Sequence, residues 1–107
     1  MKNASQGGPF PGQDLVEQGL ADLAQDRLTE CALLVLIAAP RLERLGIRVP
    51  RPPLPEPYEH CLYARLGQRL GAAAHSHYNS LIRRIVSYAR AREREQSRQR
   101  AEQQGTA

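Results

Sequence analysis

No apolar run in this chain is long enough to cross a bilayer. The longest, Cys31 to Ala39, is nine residues, about half of a span of roughly 20. Only two cysteines are present, Cys31 and Cys61. Neither has a partner at metal-ligand spacing, so both are expected as buried, reduced thiols, and nothing supports a disulfide. Lysine occurs once, at Lys2, against fourteen arginines, and Ala, Gly and Pro are abundant. That skew is what GC-rich coding produces, so Arg in place of Lys is weak grounds for inferring nucleic acid. Aromatic residues make up 5% of the chain, and only Tyr88 lies near the arginine cluster, so base stacking is not supported. No stretch alternates with period two for long enough to form a strand, and no repeat is present. A Gly-rich phosphate loop, a nucleophile elbow and a paired-carboxylate site are all missing. The first residues lack the apolar core of a signal peptide, which leads to the expectation of a cytoplasmic protein.

What is present is one domain's worth of helix-forming sequence. At 107 residues the chain buries about two-thirds of its unfolded surface, enough for a core of modest stability. After Met1 and Lys2, residues 3–13 are mostly Gly, Pro, Asn, Gln and Ser with Phe10 the only large apolar group, and residues 1–13 are expected as a flexible tail. The packable part runs over 14–91. A first helix is expected from Asp14 to about Gln25, with Asp14 and Glu17 as a capping box and Val16, Leu20, Leu23 and Ala24 as the apolar stripe. Asp22, Asp26 and Glu30 recur every four residues, but a turn between Asp26 and Thr29 breaks that face.

The second helix is expected from Thr29 to Leu45. Thr29 caps it, and Leu28 packs on Leu33 as a hydrophobic staple. Gly46, Ile47 and Pro50 supply a Schellman stop. Its run Cys31 to Ala39 is apolar on all faces, which makes it the central helix. Pro40 interrupts it, so a kink or break is expected there. Five prolines in Arg48 to Pro57 make a stiff, extended connector. P-x-x-P occurs there twice, but without the basic flank of an SH3 ligand. The third helix starts at Pro57, carries Tyr58, Leu62, Leu66 and Leu70, and stops at Gly71. The fourth starts between Ala73 and Ser76.

That last helix changes character part-way along. Tyr78, Leu81, Ile82, Ile85, Val86 and Ala89 recur at helical spacing, and then no large apolar residue follows. Residues 83–104 hold seven Arg against three Glu, a surplus equal to the chain's net charge of +4. Residues 92–107 are therefore expected as a basic, polar arm that packs on nothing of its own and adds little stability. Arg83, Arg84, Arg90, Arg92, Arg94, Arg98 and Arg100 are the candidate contacts for an anionic partner.

Other constellations are weaker. His75-Ser-His77 points its two imidazoles about 200° apart on a helix, which does not chelate, so neither a metal nor another cofactor is expected. Tyr78, Asn79 and Arg83 form a polar group near the start of the last helix. Arg69 followed by Leu-Gly-Ala-Ala-Ala and His75 resembles the R-x(4–6)-H motif of HEPN-type helical domains. That family's bundles are of this size, and many are ribonucleases of toxin–antitoxin or defence systems. The early Leu20-Ala-Asp-Leu23 and the run from Arg41 to Pro50 are similar in style to that family's first two helices. The resemblance implies a metal-independent ribonuclease in which His75 is the general acid/base and Arg69 holds the phosphate. Leu70 departs from the family's usual polar residue after the Arg, and Gly71 divides the motif between two helices.

The sequence thus specifies an all-α protein: a small antiparallel bundle of about four helices, a Pro-rich connector and a charged helical extension. Its first functional reading is a non-catalytic interaction or adaptor protein whose partner is another protein or its own copy. The HEPN-like ribonuclease is the second reading. The third is a nucleic-acid-binding module using the arginine-rich helix. Neither a membrane nor a small-molecule site is expected.

Overall fold

The computed structural model describes residues 10–53 and 57–105. Most of the expected N-terminal tail, residues 1–9, and the middle of the connector, 54–56, lie outside the described residues. The described residues form five α-helices and no strand. None of the helices is long and apolar enough to cross a membrane.

Helix α1 spans Gln13–Ala24. Its cap is Gly12 at φ 76°, with no side-chain cap hydrogen bond. The expected Asp14 capping box is therefore replaced. The helix begins one residue before Asp14, whose carboxylate lies 3.4 Å from Arg84 instead. Gly12 is required twice over. Its φ is left-handed, and a Cβ there would sit 2.6 Å from the Arg84 carbonyl oxygen. Along α1, Val16 and Leu23 are buried, Leu20 is half-buried, and Ala24 is exposed.

The chain turns over Gln25 to Thr29, with Asp26 at φ 59°. This turn breaks the possible Asp22–Asp26–Glu30 face, and the three carboxylates separate in role. Asp22 alone is buried, at 3% exposure. Its carboxylate accepts from the Thr29 hydroxyl, from Gln18 Nε2 at 2.9 Å and from Arg27 Nη2 at 3.3 Å. Its main-chain carbonyl accepts from the Arg27 N–H at 2.8 Å. The Thr29 hydrogen bond, helped by Gln18 and Arg27, holds the Asp22 carboxyl below its ordinary range against the opposing effect of burial. A depressed folded-state pKa stabilises above the unfolded value of about 3.9 and is lost as pH falls through the folded value. Asp22→Asn is therefore expected to cost about 1–3 kcal/mol at neutral pH. The difference between urea melts of wild type and variant should begin to shrink as pH falls below about 4 and close only below the depressed folded-state value.

Helix α2, Glu30–Ile37, is capped by Thr29, whose hydroxyl accepts from Ala32 N–H at 3.2 Å. Ala32 to Leu36 are all buried. The helix ends before Pro40, and α3, Ala39–Arg44, restarts with that proline in its first turn. Gly46 at φ 92° then closes the Schellman stop. Ile47 N–H donates to the Leu42 carbonyl at 3.1 Å, and Gly46 N–H to the Glu43 carbonyl at 3.0 Å. Helix α4 spans Tyr58–Leu70 and buries Leu62 and Leu66. Gly71 at φ 59° ends it, and a short 3-10 turn leads into α5, Ala74–Gly105.

Helix α2 lies at the centre, packed on α1, α4 and α5, while α4 also packs on α5. Its 32 residues make α5 about 48 Å long. The molecule measures 55 by 28 by 27 Å, so this one helix sets its long dimension.

Candidate functional site

The inward line of α5 does not stop where its apolar residues stop. Leu81, Ile85, Tyr88 and Ala89 are buried. The next residues on that side, Arg92, Glu93 and Gln96, are polar, yet all three are held by the body. The Arg92 guanidinium lies over the rings of Phe10 and Tyr88, at 5.3 and 5.7 Å from their centroids, and donates to the Tyr88 hydroxyl at 3.1 Å. Glu93 takes a two-pronged pair from Arg41 of α3, at 2.8 and 3.1 Å. That pair holds the Glu93 carboxyl below its ordinary range. Gln96 Nε2 donates to the Leu45 carbonyl at 2.8 Å. The expectation that residues 92–107 pack on nothing is corrected here: polar anchors carry the contact through Gln96.

These anchors divide the seven candidate arginines. Arg92 is consumed by the two aromatic rings. Arg84 faces Asp14, and Arg98 is paired with Glu95 and, at 3.9 Å, with Glu102. Arg83, Arg90, Arg94 and Arg100 are exposed and, among the described residues, make no ion pair. At about 100° per residue, Arg83, Arg90 and Arg94 fall within roughly 40° of one another on α5, opposite its buried side. Arg100 points away from them. Ser87, Ser97 and Ala101 share the arginine face, and all three are exposed. The succession Arg83, Ser87, Arg90, Arg94, Ser97, Ala101 steps by four and three residues alternately. The acidic neighbours Glu93 and Glu95 lie to its sides, each already paired with an arginine. The face is thus an outward row of guanidiniums separated by small side chains and bordered by Glu93 and Glu95, with Glu93 held by Arg41 and also feeling the Arg90 charge.

Arg69 and His75 sit on either side of the Gly71 turn and have different partners. Arg69 gives two hydrogen bonds of 2.8 Å to Glu30 at the start of α2, which hold the Glu30 carboxyl below its ordinary range. The His75 Nε2 lies 3.2 Å from the Asn79 amide nitrogen, and its ring packs edge-on against Tyr63. No polar contact joins Arg69 to His75. Tyr63, 44% exposed, also packs edge-on against Tyr78. It is the one exposed large apolar side chain among the described residues, and the sequence pattern had not marked it.

Cys31 and Cys61 are free. Burial pushes the Cys31 thiol up, and the Asp22 and Glu30 charges add to that. Such a thiol makes a poor nucleophile. Among the described residues no three His, Cys, Asp or Glu side chains are grouped to hold a metal ion.

Comparison with protein-family models, with curated proteins and with solved structures found no match. The reading of function therefore rests on this geometry alone.

Proposed function

We propose that this chain is a small helical interaction protein, an antiparallel bundle without a catalytic centre of its own, that holds an acidic partner on the outward arginine face of α5. The observation that carries the reading is the division of the arginines. Arg84 is matched to Asp14, Arg92 to the Phe10 and Tyr88 rings, and Arg98 to Glu95 and Glu102 of its own helix. Arg83, Arg90 and Arg94 share one face and, among the described residues, make no ion pair. A row of like charges repels itself and adds nothing to folding, whereas a partner of opposite charge relieves that cost. The two free cysteines fit a reducing compartment. The ribonuclease reading gains no support from Arg69 and His75, which have different partners and share no polar contact.

Retention on immobilised heparin tests this. The wild type should bind at low salt. Arg90→Glu with Arg94→Glu should elute at roughly half the salt or less. Arg48→Glu with Arg65→Glu, an equal change of net charge at exposed positions outside α5, should elute close to the wild type. Equal losses in both pairs would mean that net charge alone acts, and would overturn the reading.

A further inference from the structure

Resting on that reading, the character of the face narrows the class of partner: we infer that it is double-stranded DNA, held through its phosphates without reading sequence. A stable protein partner needs a desolvated apolar centre, usually with aromatic anchors. The arginine face offers none. Between its guanidiniums stand Ser87, Ser97 and Ala101, and the exposed Tyr63 belongs to α4. The two aromatic rings nearest the arm, Phe10 and Tyr88, are occupied by Arg92. A single strand is held largely by stacking its bases on aromatic rings, and here none is free.

Phosphates need only charge and hydrogen bonds, and these the face supplies. Arg83 to Arg94 covers about 17 Å of helix axis. A duplex offers about one negative charge per 1.7 Å of its own axis, so three guanidiniums over that length meet phosphates without a fixed register. The small residues between them narrow the outward side of α5. A helix of about 10–12 Å diameter matches the major groove of B-form DNA, which is about 12 Å wide. The deep, narrow major groove of double-stranded RNA does not admit it. Three guanidiniums spread along the face supply charge for phosphates, and no Asn or Gln stands among them to add a bidentate contact to adenine.

Fluorescence anisotropy of the full chain with a mixed-sequence DNA duplex of about 20 base pairs tests the inference, with a single strand, an RNA duplex and poly-L-glutamate as further probes. Binding to the DNA duplex should weaken with salt at a log–log slope of about −3, the value for three phosphates neutralised. Arg83→Gln with Arg90→Gln and Arg94→Gln should bring the slope close to zero. Arg69→Gln, outside the face, should leave both affinity and slope unchanged. Circular dichroism of each variant checks that it is folded. Equal or tighter binding of the single strand or the RNA duplex would overturn the inference. Binding of poly-L-glutamate without DNA would overturn it and leave the acidic-partner reading standing. Failure to bind any of the four probes at low salt would overturn both.

Discussion

Leu36→Asp is expected to abolish cooperative unfolding. Leu36 is 1% exposed in the middle of α2 and is among the largest fully buried side chains. The helix around it, Ala32 to Leu36, is buried on every face, so no rotamer carries a carboxylate from position 36 to water. An isolated buried charge either stays ionised at large cost or takes up a proton, and either way it loses the packing of leucine. Leu→Ala at such sites alone costs about 2–5 kcal/mol, against a total stability of about 5–15 kcal/mol for a domain of this kind. Thermal melts followed by circular dichroism should show a broad, non-cooperative change in place of a sigmoid. A melt like that of the wild type would remove α2 from the centre of the fold.

Gly19→Ala should also be severe, for a reason opposite to the usual behaviour of glycine in helices. In an exposed helix interior the exchange gains about 0.5–1 kcal/mol. Gly19 instead lies where α1 crosses α2. A Cβ there would fall on the Cys31 carbonyl oxygen, 2.9 Å from the Cys31 carbonyl carbon and 2.5 Å from Val35 Cγ2. Two of those three obstacles are backbone and cannot rotate away, so the helices must separate. Overpacking of this sort costs about 1–3 kcal/mol or more, which outweighs the propensity gain. Gly67→Ala, in α4 with no atom within 4 Å of the added Cβ, is the control and should raise stability by about 0.5–1 kcal/mol. If denaturant midpoints moved in the same direction for both variants, the α1–α2 contact would not be as close as described.

Local signals were legible in the sequence wherever a few neighbouring residues decide the outcome. The Thr29 cap, the break at Pro40, the Schellman stop at Gly46 and the end of α4 at Gly71 depend only on side chains within a turn or so. The start of α1 was misplaced because Gly12 takes its left-handed conformation where α1 meets α5, beside the Arg84 carbonyl and Tyr88, a contact between elements far apart in the chain. Gly19 carries no periodic signal, since a glycine at a helix crossing looks like any other glycine. The polar anchors of the arm were hidden for the same reason. Arg41 and Glu93 are 52 positions apart, and a hydrophobic stripe that ends at Ala89 says nothing of a carboxylate finding its partner on another helix.

The candidate site was half legible. Seven arginines stood out in the composition of α5, and the helical period alone places Arg83, Arg90 and Arg94 on a single side. Which arginines are already matched is a property of the fold. Asp14, the Phe10–Tyr88 pair and Glu95 occupy Arg84, Arg92 and Arg98, and of the four that remain Arg83, Arg90 and Arg94 form a face and not a tail.

The claim that this face is where the protein meets its partner is tested most directly by residue. Backbone amide chemical shifts of isotope-labelled, full-length protein should be followed as heparin is added. Changes are expected to concentrate along α5 at Arg83, Ser87, Arg90, Arg94 and Ser97, fading toward Arg100 and absent from α2. Changes centred instead on Arg69 and His75, or on Tyr63 and Tyr78, would contradict it.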